Sequence, residues 1–358
     1  MKRPRSDEPP ELAGLLAWLR AAGASFDHLR FGPSPLGGTG VFATRELPAG
    51  STLVSIPQRC VLTARVAHES KLGRAMRRAA REWHVEERFC SDEALLWIFM
   101  CAGRKDPSHE FHPYLASLPT ASPDPACWSE KLRAEVRGTP LGPAIAAARE
   151  FAAALFDAFA ARVAAALLPA GCLESADDLL WARGMCLSRA FPASLVAPTG
   201  IAASDCPGGC LLPLFDLLNH APSQPISYLG SKSSVALRTD VALAARAEVH
   251  NNYGERSNEQ LLLSYGFCLR DVSFHHHANP RGRLWLRSRR WRERSNGRGR
   301  CCGRTYAWRP RPTCGRARTT PSPFRSSRRL RSRRVRLRCV RHTPCAGRRQ
   351  EGSRRRKF

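Results

Sequence analysis

The stretch from Leu211 to Phe267 decides how this chain is read. It opens with LLPLFDLLNHAPSQPISYL (211–229), crosses a polar hairpin region, and closes with EVHNNYGERSNEQLLLSYGF (248–267). Two short polar signatures stand out. Asn219-His220 closes an apolar run, and Tyr253-Gly254 is followed by Ser257-Asn258. An amide and an imidazole at the end of an apolar run must find hydrogen-bond partners or cost a few kcal/mol. Ser257 is a helix-capping residue with Gln260 three positions on, a capping box that predicts a helix through Leu261-Leu262-Leu263.

Charge splits the chain in two. The 358 residues hold 57 Lys+Arg against 30 Asp+Glu. From Arg281 onward there are 28 Arg and one Lys, opposed only by Glu293 and Glu351, which leaves 28 basic and 28 acidic residues in 1–280. The whole +27 therefore sits in the last 78 residues. Residues 1–280 are long enough to bury a substantial core. The Arg-rich segment has few aliphatic residues and a high net charge, so disorder is expected of it.

With that division in place, DLLNH and NNYGERSNEQLLLSYGF resemble the C-terminal half of a SET-domain methyltransferase. More narrowly, they resemble the branch of the plant Rubisco large-subunit methyltransferase and the animal actin-histidine methyltransferase. The resemblance covers roughly residues 12–280. It implies an α+β fold: a SET-domain β-fold with a knot-like C-terminal crossing and a helical insert, followed by a disordered Arg-rich tail. The expected divisions are a leader and helix (1–30), the N-terminal part of the SET domain (31–60), the helical insert (61–190), the C-terminal part (191–280) and the tail (281–358). The implied cofactor is S-adenosyl-L-methionine, and the implied reaction is methyl transfer to a lysine of a protein substrate, with histidine as a second acceptor.

Before that stretch, Pro10 and the stripe Leu12, Leu15, Leu16, Leu19 predict a helix over 11–22, ended by Gly23. Residues 37–57 read as a strand, a turn at Pro48-Ala49-Gly50 and a second strand. Glycines at 37, 38 and 40 permit close backbone approach to a ligand, or simply a turn. Gly38-x-Gly40 runs into a strand pattern and not a helix, which excludes a Rossmann motif. By the resemblance this hairpin lies against the cofactor, with Gly38 and Thr39 in contact and Gly37 contributing backbone only, since relatives often have an acidic residue there. Further helices are expected from Ser91-Asp92-Glu93 through Met100, as a helix-to-loop passage over 112–119, as one long helix over 144–168 ended by Pro169 and Gly171, and over 177–190.

The resemblance gives each site residue a role, and each also has a plainer reading. Tyr253 would point its hydroxyl at the transfer site and align amine and methyl; otherwise it is a buried structural tyrosine. Arg189, in Ser188-Arg189-Ala190-Phe191, would reach the cofactor carboxylate, a task suited to a guanidinium fork; otherwise it is a surface arginine at a helix C-terminus. Asn219 and His220 would hold the cofactor's amino-acid portion and adenine; otherwise His220 is a satisfied core histidine. Phe267, behind Tyr265-Gly266, would lie near the adenine or serve as a core aromatic. One departure matters: Ala245-Arg246-Ala247-Glu248 stands where a Gly-Glu pair is usual, a costlier turn.

Scattered cysteines and the absence of a long apolar leader or span predict a reducing, intracellular setting, in cytoplasm or nucleus, with no membrane partner and a monomeric chain. Cys206 and Cys210 have the spacing of a metal half-site, with His275-His276-His277 as a conceivable partner, but no second finger-like pair is present and no metal is assigned. The Arg-rich segment breaks the helical pattern that the branch would continue into a substrate-gripping domain. Its composition matches an unselected reading of GC-rich DNA or a retained intron. The alternative is a genuine basic arm on a catalytically inactive SET scaffold, binding nucleic acid with strong salt dependence.

Overall fold

The computed structural model describes residues 8–195, 208–222 and 224–269. The expectations for the Arg-rich segment, for Cys206 and for the triple histidine lie outside these residues. A turn at Pro10–Leu12 leads into α1 (Ala13–Ala21), whose Leu15, Leu16 and Leu19 are buried with Leu12, and Gly23 at φ +85° stops it. Strands β1 (Leu29–Pro33) and β2 (Thr39–Ala43) pair antiparallel, joined by a turn in which Gly37 and Gly38 take φ +102° and +66°. Strand β3 (Thr52–Pro57) follows the Pro48–Gly50 turn as the sequence predicts, but it does not form a hairpin with β2. That part of the reading is corrected: β2 takes its partner from upstream, and β3 takes its own from far downstream. Strand β4 (Leu62–Thr63) completes the N-terminal strands.

A run of helices then fills the interval to Arg189. Thr63 and Ser70 cap α2 (Ala64–Glu69) and α3 (Lys71–Glu82) by accepting from Val66 N–H and Gly73 N–H. Ser91 caps α4 (Asp92–Lys105), which carries Asp92 and Glu93 in its first turn and Arg104 and Lys105 in its last, the charge order that complements the helix dipole. From Ala94 to Gly103 every residue of α4 is buried, so this helix forms the centre of the helical layer. The short α5 (His112–Leu115) and α6 (Glu130–Glu135) precede α7 (Leu141–Leu155). The expected long helix exists, with a single π turn at Phe156–Ala160 joining α7 to α8 (Ala161–Leu167). A capping box of Ser175 and Asp178 opens α9 (Ala176–Arg189), which runs directly into β5 (Ala190–Phe191).

The C-terminal strands explain how the ends of this helical run are held. Strand β6 (Cys210–Leu211) lies between β4 and β5, with Leu62 and Ala190 both opposite Leu211. The chain thus leaves and re-enters the strands on the two sides of one short strand. Strands β7 (Ile226–Gly230) and β8 (Ser234–Thr239) form a hairpin, and β3 pairs with β8 to give the order β3-β8-β7. The segment after β8 returns along β2, where Val249 N–H donates to Val41 O at 2.7 Å and Ala43 N–H donates to Ala247 O at 2.9 Å. Helix α10 (Asn258–Tyr265) has the predicted Ser257/Gln260 capping box and ends at Gly266, φ +75°. One hydrophobic core runs through α1, the strands, α4 and α9, and a small cluster of Val136, Leu141 and Ile145 seats Leu262 and Leu263 of α10.

The expected cost of the Ala245–Glu248 turn is visible in the backbone. Arg246 sits at φ +67°, a region that a side chain rarely adopts. Arg246→Gly is therefore expected to raise stability by about 0.5–1 kcal/mol, after the greater freedom of glycine in the unfolded chain is counted. Urea denaturation measures this, and a variant no more stable than the parent refutes it.

Candidate active site

Residues 214–220 form the spine of the site. Leu214, fully buried, takes φ +72° and ψ −37°, a strained conformation for a branched side chain. It turns the chain so that Asp216, in the middle of an apolar run, faces inward with its side chain 1% exposed. Arg189, at the last turn of α9, meets it there. Arg189 Nη1 donates to Asp216 Oδ2 at 3.1 Å and to Asp216 O at 3.0 Å, and Tyr114 Oη from α5 donates to Asp216 Oδ2 at 2.9 Å. Burial pushes the Asp216 carboxyl up and the Arg189 charge opposes it, while Asp216 in turn helps keep the guanidinium protonated. Two atoms of this pair are buried without a hydrogen-bond partner among the described residues, Arg189 Nε and Asp216 Oδ1.

Asn219 and His220 come next, and they join three parts of the chain. Asn219 Nδ2 donates to Glu248 Oε1 at 2.8 Å and to Thr39 O at 3.4 Å. Its carbonyl accepts from Asn251 N–H at 2.8 Å, and His220 bridges Asn251 in parallel. Glu248 also accepts from Ser34 Oγ at 2.8 and 3.0 Å, so a carboxylate stands at the base of the glycine turn although Gly37 itself has none. Among the described residues, an added Cβ at Gly37 or Gly38 would meet nothing within 4 Å; at Gly40 it would lie 2.7 Å from Glu248 Oε1. The first two glycines therefore serve the positive-φ backbone of the turn. Only Gly40 serves close approach, and what approaches it is a side chain of the protein.

Tyr253 lies across this spine. Its backbone N–H donates to His220 Nδ1 at 3.2 Å, a bond that requires that nitrogen to be unprotonated. Its hydroxyl donates to Leu218 O at 2.9 Å. The ring stacks on His220 at 5.0 Å and on Tyr265 at 4.6 Å between centroids, and Phe267 completes the wall at 6.3 Å from His220 and 6.2 Å from Tyr265. Burial raises the Tyr253 phenol well above its ordinary value, so near neutral pH it is a hydrogen-bond donor and not a base. Phe215 stacks on Tyr228 and Phe191 meets both rings edge-on, while Tyr228 Oη donates to Asn251 Oδ1 at 2.6 Å.

The structure thus gathers Asn219, His220, Tyr253 and Phe267 into one cluster, with Thr39 tied to it through Asn219 and the Gly37-Gly38 turn through Glu248 and Ser34. Arg189 is no surface arginine, its side chain being 16% exposed. Its Nη1 is already engaged by Asp216, which leaves Nε as its unused buried donor. Sequence reasoning assigned no role to Asp216, Tyr114, Glu248 or Asn251. For Asp216 a signal existed, since a lone acid inside LLPLFDLL must be paired if it is buried.

No protein-family model matches the chain. Among curated proteins, it is 38% identical over 101 residues to the ribosomal lysine N-methyltransferase set10 of Schizosaccharomyces pombe, covering 27% of this chain and 18% of that protein. It is 26% identical over 278 residues to the chloroplastic [fructose-bisphosphate aldolase]-lysine N-methyltransferase of Arabidopsis thaliana, covering 73% of this chain and 53% of the relative. It is 28% identical over 272 residues to SET domain-containing protein 4 of Homo sapiens, covering 72% and 58%. The chain therefore spans little more than half the length of the relatives that match most of it. Among solved structures, the SET domain of LSMT bound to methyllysine and AdoHcy superposes with TM-score 0.58 at 19% identity, over 74% of this chain and 58% of the other. Rubisco LSMT bound to AdoMet gives 0.56, likewise at 19% identity, over 74% and 57%. Over about three quarters of its length the chain thus has the fold of the LSMT SET domain, and its sequence is similar to that of curated lysine N-methyltransferases and of SET domain-containing protein 4.

Proposed function

We propose that this chain is an S-adenosylmethionine-dependent protein N-methyltransferase that places a methyl group on a lysine side chain. The observation that carries the reading is the convergence of Asn219, His220, Tyr253 and Phe267 beside the Arg189–Asp216 pair. The residues fit the cofactor. An unpartnered buried donor, Arg189 Nε, and an unpartnered buried acceptor, Asp216 Oδ1, belong to one ion pair. Such a pair is complementary to the carboxylate and ammonium of an amino-acid end. The open turn at Gly37, Gly38 and Thr39 would border the cofactor, Asn219 and His220 would hold it by hydrogen bonds, and Phe267 would face its adenine. The knot-like crossing is part of the same proposal, supported by the bridge between His220 and Asn251.

S-adenosylmethionine supplies a methyl group on a sulfonium sulfur, open to in-line displacement. The protein's own part is alignment. A lysine attacks only as the neutral amine, and burial beside the Tyr253, Tyr265 and Phe267 rings would penalise its charged form. Tyr253 cannot take the proton itself, because burial keeps its phenol protonated. Its proton is held by the Leu218 carbonyl, so the Tyr253 oxygen would instead present its lone pairs at a fixed position to orient the reacting groups.

Thermal unfolding of the full chain with S-adenosylhomocysteine tests the cofactor site. At a hundredfold over the dissociation constant, stability is expected to rise by about 2.7 kcal/mol, and Asn219→Ala is expected to abolish the rise at the same concentration. A folded chain that shows no shift removes the cofactor, and the enzyme reading with it.

A further inference from the structure

Tyr114 lies outside every segment that carries the motifs of the site. It belongs to α5, in the helical run, and is 1% exposed. Its hydroxyl nevertheless reaches the site, donating to Asp216 Oδ2 at 2.9 Å. That oxygen also accepts from Arg189 Nη1, whereas Asp216 Oδ1 is buried with no partner among the described residues. A guanidinium facing a carboxylate alone tends to bind both oxygens in a fork. Here Arg189 Nη1 is divided between the carboxylate and the Asp216 backbone carbonyl, and Tyr114 supplies the second donor to Oδ2. Both bonds thus fall on one oxygen, and the other is kept as an acceptor. The strained backbone at Leu214, two residues earlier, fixes the direction from which Asp216 enters.

We propose that Tyr114 is a positioning residue for the cofactor's amino-acid end, holding Asp216 so that Oδ1 is presented to the ammonium group of S-adenosylmethionine. This rests on the methyltransferase reading above. The plainer account is a buried tyrosine that bonds to the nearest acceptor, and that role would be read in stability alone. The groups facing the Asp216 carboxylate are Arg189 from α9, Tyr114 from α5 and Tyr253, with the Cys186 thiol of α9 near Tyr114. The guanidinium stays charged, and burial raises both phenols and the thiol. A change in cofactor binding on acidification therefore belongs to Asp216 among them.

The test is calorimetric titration of the full chain with S-adenosylhomocysteine, in the parent, Tyr114→Phe, Asp216→Asn and the double variant, with urea denaturation alongside. Phenylalanine preserves the ring and its packing. Tyr114→Phe is expected to weaken binding about tenfold. The double variant is expected to bind like Asp216→Asn alone, because the tyrosine acts only through the carboxylate. The acid limb of the binding profile should move to higher pH in Tyr114→Phe, since a donor favouring the ionised carboxyl has been removed. Unchanged affinity and an unchanged acid limb, with only a lower denaturation midpoint, would reduce Tyr114 to a structural residue. A parent chain that binds no S-adenosylhomocysteine overturns the functional reading itself, a failure distinct from that of Tyr114→Phe.

Discussion

Tyr253→Phe is expected to cut methyl transfer about a hundredfold or more while leaving S-adenosylhomocysteine affinity within a few-fold. The variant keeps the ring, so the stack on His220 and Tyr265 survives, as does the backbone bond to His220 Nδ1. Only the hydroxyl is lost, together with its bond to Leu218 O. That leaves a buried carbonyl unpaired and is expected to cost about 1–3 kcal/mol of stability, an effect that urea denaturation separates from the rate. The rate effect has another origin. A hydroxyl oxygen held by Leu218 O where groups are aligned for transfer acts mainly in the transition state, so turnover should fall much further than ligand affinity. Labelled S-adenosylmethionine with mass spectrometry of the acceptor residue gives the measurement. Activity equal to the parent would return Tyr253 to a structural role, and a methylated histidine would correct the acceptor.

Arg189→Ala should destabilise the fold by about 3–5 kcal/mol, because it strands a buried carboxylate. Asp216 would keep the Tyr114 hydroxyl but lose its only cationic partner among the described residues, and its backbone carbonyl would lose a donor as well. A loss of that size is a large share of a typical domain's stability, so the measurement belongs in urea at low temperature. Arg189→Lys is the informative control, since it restores the charge without the planar fork. Cofactor affinity should fall in both variants, because each lacks the Nε donor. A change below about 1 kcal/mol for Arg189→Ala would mean that the ion pair is open to water.

Local chemistry was the legible part of this molecule. The helix starts at Ser91 and Ser257 and the leucine stripe of α1 follow from short-range rules, and the structure has each of them, while the costly turn over 245–248 was read from its departure from the family pattern. Asn219, His220 and Tyr253 were legible as a group because their order and spacing resemble a known pattern. Strand pairing was not. The adjacency of β2 and β3 in sequence suggested a hairpin, whereas β3 finds its partner in β8. Tyr114 gave no sign at all, since nothing near it in HPYLASLP indicates an acid a hundred residues away. Glu248 was quoted only as part of a turn, although its carboxylate joins Ser34 to Asn219.

The bonds that assemble the site span very different stretches of chain. Ser34 to Glu248 covers 214 residues, Thr39 to Asn219 covers 180, and Tyr114 to Asp216 covers 102. Closing loops of that length costs entropy before any contact repays it, which makes such pairings late events in folding. A nascent chain that has emerged only as far as α9 already holds Thr39, Tyr114 and Arg189, but not yet Asn219 and Asp216, their partners in the site. Until the Asn-His and Tyr-Gly segments leave the ribosome, those polar groups must stay hydrated, and the surface that will become the site must stay open.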